Sequence, residues 1–143
     1  TNVEHNKFYE QLREKTGFEK DSRIKFVGTV YDQDLLKKIR EEAYGYLHGH
    51  EVGGTNPSLL EALASTELNL LLDVGFNKEV GRECALYWSK DQGNLATLIE
   101  KADEMNTESV KYLGEKSTAR VHDTYSWKKI IEKYEDVFLE KQA

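Results

Sequence analysis

The chain has 143 residues, enough for one domain with a true hydrophobic core. Apolar residues make up 38% and charged residues 32%, the balance of a polar globular domain, and no apolar run approaches the roughly 20 residues that cross a bilayer. A net charge of -6 argues against duplex nucleic acid as a partner but leaves a nucleotide open, since that needs only one local anion site.

In chain order, Asn6 to Lys15 is polar but for Phe8, Tyr9 and Leu12 on one helical face, which predicts a helix ending near Gly17. Arg23-Ile-Lys-Phe-Val27 alternates, favours β residue types and stops at Gly28, which predicts a strand. Asp32 or Asp34 then caps a helix carrying Leu35, Leu36, Ile39 and Ala43. Tyr44 to His48 is a second strand, followed by a loop from Gly49 to Thr55. Asn56-Pro57 opens a helix that ends near Ser65, with Asn as cap and Pro in its favoured first position. Leu68 to Asp73 is nearly all apolar, as a strand covered on both faces would be, and Ala85 to Trp88 is one more short strand. From Leu95 onward the pattern is helical. Leu95, Leu98, Ile99 and Ala102 form a stripe that Val110 and Leu113 continue. Trp127, Ile130, Ile131, Tyr134, Val137 and Phe138 form the clearest amphipathic stripe of all.

Strands alternating with helices predict an α/β fold with a parallel doubly wound, Rossmann-like sheet. No repeat or Pro/Gly/Ser linker interrupts the chain, so residues 1–143 are expected to be a single domain. A helix first and only three or four strands after it suggest a piece of a larger fold.

The stretch from His48 to Ala62 holds the chemistry: a strand end, a loop with paired glycines, a capped helix start and a carboxylate one turn in. Open α/β sheets bind ligands at this place, beyond the carboxyl ends of strands. Gly53 and Gly54 let backbone approach a ligand, and a helix start offers unpaired N–H groups to an anion. Leu59, Leu60 and Leu63 share the core face of the helix, whereas Ser58, Glu61 and Ser65 share the other. Taken by itself, Glu61 reads equally well as a solvated surface residue.

The string His48-Gly-His-Glu-Val-Gly-Gly-Thr-Asn-Pro-Ser-Leu-Leu-Glu-Ala62 resembles the donor-site signature of family 4 retaining glycosyltransferases, in particular the rhamnosyltransferase branch that builds bacterial capsule and cell-wall polysaccharides. Ile24-Lys-Phe-Val-Gly-Thr-Val30 and the Tyr125-Ser-Trp127 opening of the last helix match as well, so the resemblance runs from about Asn6 to about Leu139. It implies the carboxy-terminal, donor-binding part of a GT-B fold. Glu61 would take the ribose hydroxyls. Gly53, Gly54, Thr55, Asn56 and Ser58 would meet the diphosphate or sugar, and Gly28, Thr29 and Val30 would lie against the base. His48 resembles the strand-end histidine beneath sugar and phosphate. The family pattern places a first Glu eight residues before the second, where this chain has Gly53; either the loop is rearranged and Glu51, the nearest acid, serves the sugar as the catalytic residue beside His48, or that role is lost.

The implied reaction is transfer of a hexosyl unit with retention, rhamnosyl from dTDP-rhamnose, to a polysaccharide or lipid-linked acceptor. It needs no metal or other cofactor, because N–H groups and basic side chains hold the leaving diphosphate. The full-length protein would be cytoplasmic, peripheral on the inner face of the membrane, and would use its own amino-terminal domain for the acceptor. Residues 1–143 alone would be inactive and would self-associate through their uncovered faces. A sugar-nucleotide epimerase of GT-B fold and a non-catalytic nucleotide-binding module are the alternatives.

Other signals are weaker. His48, His50 and Glu51 lack a fourth ligand for zinc. Asp32-Gln-Asp34 imitates a metal-binding Asp-x-Asp but stands where a helix cap is needed. Cys84, the single cysteine, excludes an internal disulfide, suits a reducing compartment and reads as a small buried hydrophobe. His5 and His122 have no partner in sequence, and Arg120 and Asp123 read as local turn residues.

Overall fold

A computed structural model describes residues 6–140; His5 lies outside them. The chain divides into two compact units, Thr1–Leu36 and Lys37–Ala143.

In the first unit, α1 spans Lys7–Thr16. The Asn6 carboxamide oxygen accepts the amides of Phe8 and Tyr9 at 3.0 and 3.2 Å. At the other end Gly17 turns left-handed (φ 63°) and its amide donates to the Arg13 carbonyl, so the helix is closed at both ends by the residues its sequence supplies. The strand expected at Arg23–Val27 does not form. That segment has no strand beside it among the described residues, and Ile24, Phe26 and Val27 are exposed. β-favouring residues alone do not make a strand without a ladder to join. Phe26 instead meets Tyr9 and Phe18, with ring centroids 6.0 and 5.4 Å apart. Asp32 then starts α2, Gln33–Glu41, with its carboxylate accepting the Leu35 amide at 3.0 Å, as the capping reading of this acid expects.

The second unit is built on three short parallel strands in the order β1-β2-β3: β1 Tyr46–His48, β2 Asn69–Leu72 and β3 Leu86–Trp88. Leu47 pairs with Leu70, and Leu71 with Tyr87. The fold is therefore α/β with a small open parallel sheet. Between β1 and β2 lies α3, Pro57–Ser65, opened by Asn56 as cap and Pro57 in the first turn. A second short helix, α4 Gly75–Gly81, joins β2 to β3 and has no counterpart among the predicted elements. Its flanking glycines hide it, but Val80 and Asn77 are buried and fix it to the sheet. Helices α5 (Asn94–Asp103), α6 (Thr107–Tyr125) and α7 (Trp127–Glu140) complete the unit.

Residues alternate across β2, so its two faces feed two cores. Leu71 packs with Leu59 and Leu63 of α3, Val80 of α4 and Ala85, against Val121 and Tyr125 of α6. Leu70 packs with Leu68 and Ala102, against Leu98, Val110 and Leu113. Helices thus cover the sheet on both sides. Gly114 lets α6 lie close to the turn that follows α3, because a Cβ there would stand 2.8 Å from the Glu67 Cα. Arg120 was expected in a local turn. It reaches about 40 residues back, donating to the Val80 and Glu79 carbonyls at 2.5 and 2.6 Å and so closing the last turn of α4. His122 Nδ1 lies 3.1 Å from the Asp123 carboxylate beside it. Cys84 is buried, and burial pushes its thiol up from the ordinary value. No helix among the described residues is long and apolar enough to cross a membrane.

Candidate functional site

The residues singled out between His48 and Glu61 run from the carboxyl end of β1 through an exposed loop into the first turns of α3. His48 ends the strand and is 1% exposed. Its Nδ1 stands 3.1 Å from the Tyr46 hydroxyl on the same strand face. Its other ring nitrogen, Nε2, is buried and meets no hydrogen-bond partner among the described residues. The His50 ring stacks on His48 with centroids 4.7 Å apart. Burial, then the neighbouring His50, lowers the His48 pKa from its ordinary 6.5.

The loop from Gly49 to Thr55 is fastened at its beginning and open at its end. The buried Asn77 side chain donates to the His50 carbonyl at 3.1 Å and to the Leu72 carbonyl at 2.9 Å. Trp88 of β3 lies against Gly49, and Glu51 pairs with Lys90. From there the chain is exposed. Gly53 adopts φ 143°, a conformation that side-chain-bearing residues rarely take, and neither Gly53 nor Gly54 has any atom within 4 Å of where a Cβ would stand. Among the described residues no hydrogen bond is made by the amides of Gly53, Gly54 or Thr55.

The start of α3 corrects the expectation of unpaired helix amides. Pro57 has no N–H, and the Asn56 carboxamide oxygen takes the Ser58 amide at 2.9 Å. The Leu59 and Leu60 amides donate to the Asn56 carbonyl. A capping residue as good as Asn satisfies the donors that an anion would otherwise use. Backbone contact with an anion is therefore left to amides ahead of Pro57, those of Gly53, Gly54, Thr55 and Asn56 among them.

Glu61, one turn into α3, is exposed, and its Oε2 lies 2.8 Å from Arg40 Nη1. Arg40 itself is largely covered and close enough to influence the half-buried Tyr46 hydroxyl, whose pKa burial raises and the guanidinium opposes. Gly28, with φ 71°, Thr29 and Val30 belong to the first unit, and the residues at the end of β1 belong to the second.

Sequence reasoning missed Arg40, Tyr46, Asn77, Trp88 and Lys90. Arg40, Asn77, Trp88 and Lys90 act across a long stretch of chain or from an element that was not predicted, so no local spacing announces them, whereas Tyr46 shares a strand face with His48 two residues away. Among the described residues no group of three or more His, Cys, Asp or Glu side chains could hold a metal ion. A groove of about 630 Å³ lies away from the loop, along α3 and α6, lined by Ser65, Thr66, Gly114 and Thr118.

No protein-family model, curated protein or solved structure matches the chain. The reading of this site therefore rests on its residues and on the resemblance of its central string.

Proposed function

We propose that this chain is the donor-binding part of a retaining glycosyltransferase of GT-B fold, its small parallel sheet belonging to a doubly wound carboxy-terminal domain. The loop 49–55 takes the phosphates or sugar of a nucleotide sugar, and Glu61 takes a hydroxyl of the nucleoside. The observation that carries this reading is the pairing of three unused loop amides with a carboxylate that is already oriented, at the carboxyl end of a parallel strand. Backbone N–H groups in a glycine loop suit an anion, and an ionised carboxylate makes charge-assisted bonds to hydroxyls of roughly 1.5–3 kcal/mol each. His48 supports the same reading through its uncommitted Nε2. Glu51 fits it less directly, since its carboxylate is engaged by Lys90 and would have to exchange that partner for substrate.

In the full-length protein we propose hexosyl transfer, with dTDP-rhamnose as donor and a polysaccharide or lipid-linked acceptor. The amino-terminal domain would supply the acceptor groove at the cytoplasmic face of the membrane. Calorimetric titration of the chain with UDP, dTDP, UDP-glucose and dTDP-rhamnose tests the core of the proposal. Saturable binding of at least one, weakened by Glu61→Gln, is the expected result. A chain that binds none of the four at millimolar concentration, or binds equally well without Glu61, would overturn it.

A further inference from the structure

Among the described residues nothing covers one face of helix α7. Trp127, Ile131, Tyr134 and Phe138 follow the 4-3-4 spacing of a helix–helix seam, and each is between 53% and 82% exposed. Of the apolar residues on this helix only Ile130 is half-buried.

The charges on α7 are ordered, and in an unusual direction. Lys128, Lys129 and Lys133 outweigh the single acid Glu132 in its amino-terminal half, and Glu135 and Asp136 follow in its carboxy-terminal half. That is the reverse of what the helix dipole favours, which is acids at the start and bases at the end. A second helix lying antiparallel reverses the balance, because it brings acids to the basic half and bases to the acidic half.

The positions agree in detail. Lys128 and Glu135 are seven residues apart and flank the seam on the same side. Neither has an ion-pair partner among the described residues, whereas Lys129 is already paired with Glu132 at 2.8 Å. In a two-fold antiparallel pair, equivalent flanks face each other, so Lys128 of one copy meets Glu135 of the other and symmetry repeats the contact. The same operation sets Trp127 against Phe138 and Ile131 against Tyr134. A parallel pair would put each flank opposite the wrong one and lose both ion pairs.

We propose that α7 is a self-association surface, onto which a second copy of this chain packs its own α7 antiparallel. This does not depend on the nucleotide-sugar reading. One seam of a 14-residue helix is smaller than a standard interface, so the dimer is weak, with a dissociation constant on the order of 10–100 µM.

Sedimentation equilibrium of the chain from about 1 to about 300 µM tests the association, with helicity followed to confirm that every variant is folded. A monomer–dimer equilibrium is expected for the unaltered chain, and Ile131→Lys should abolish it. Lys128→Glu and Glu135→Lys should each weaken dimerisation several-fold at low salt. Combining both changes in one chain should restore it, and mixing the two single variants should yield a heterodimer. A monomer at every concentration would leave this face to another kind of partner and overturn the proposal. Association that is indifferent to Ile131→Lys, or to the charge exchanges at positions 128 and 135, would overturn it equally.

Discussion

Arg40 Nη1 lies 2.8 Å from Glu61 Oε2, so the carboxylate singled out from the sequence does not stand alone on its helix. The arginine side chain is 13% exposed and the glutamate 48%. One partner is thus set in protein while the other faces solvent, an arrangement that restricts the carboxylate to one direction. A preset direction lowers the ordering cost when a ligand arrives.

Removing the carboxylate should therefore affect binding more than folding. Glu61→Gln is expected to weaken nucleotide-sugar binding at least tenfold, the equivalent of one charge-assisted bond of roughly 1.5–3 kcal/mol. Glu61→Ala also strands the largely covered Arg40 guanidinium, and with only the glutamate facing solvent the stability cost should be about 1–2 kcal/mol. Titration calorimetry and urea melts read the two effects separately. A loss of several kcal/mol in stability, with ligand affinity intact, would mean that the pair is structural only.

His48 should make stability depend on pH. Its folded pKa is lowered from 6.5, first by burial and then by the stacked His50, with the Tyr46 hydroxyl at its Nδ1. As pH falls through 6.5, the unfolded chain takes up a proton that the folded ring still refuses. The unfolded state then binds more protons, so stability falls as pH drops from about 7 towards about 5 and is regained as it rises. Thermal melts across that window should show the slope, and His48→Asn should flatten it. Equal slopes in both proteins would place the titrating group elsewhere.

Gly114→Ala sets helix propensity against packing. Alanine favours an isolated helix by up to about 1 kcal/mol. Here, however, its Cβ would stand 2.8 Å from the Glu67 Cα and 2.9 Å from the Glu67 Cβ, and backbone cannot yield as a side-chain tip can. Overpacking of this kind costs roughly 1–3 kcal/mol, so a net loss of stability is expected. Gly54→Ala, with open space around it, is the control and should change stability by less than about 0.5 kcal/mol. A stabilised Gly114→Ala protein would mean that α6 has room to move away from Glu67 at little cost.

Much of the second unit was legible because its signals are local. Asn56-Pro57 announces α3, the apolar run announces β2, and the stripe of α7 announces an amphipathic helix. The failures have equally definite causes. Arg23–Val27 has strand composition, but a strand is a relationship between two segments, and its aromatic residue is engaged with Tyr9 and Phe18 instead. α4 is short and begins and ends in glycine, so propensity argues against a helix that is held by Val80, Asn77 and the distant Arg120. In the candidate site the loop glycines and Glu61 could be read from spacing. Arg40, 21 residues before its partner, and Lys90, 39 residues after Glu51, could not, because ion pairs between distant segments leave no periodic trace.

β2 has a consequence for how the second unit comes apart. Leu70 and Leu71 are adjacent on one backbone yet belong to different cores. Losing either core bares the same few peptide groups, and the other core then loses a wall. The two halves should consequently melt together, with no stage at which one stays packed while the other is fluid. In native-state hydrogen exchange the amides of Leu70 to Leu72 should be the slowest of the unit, and they should exchange only when it opens completely.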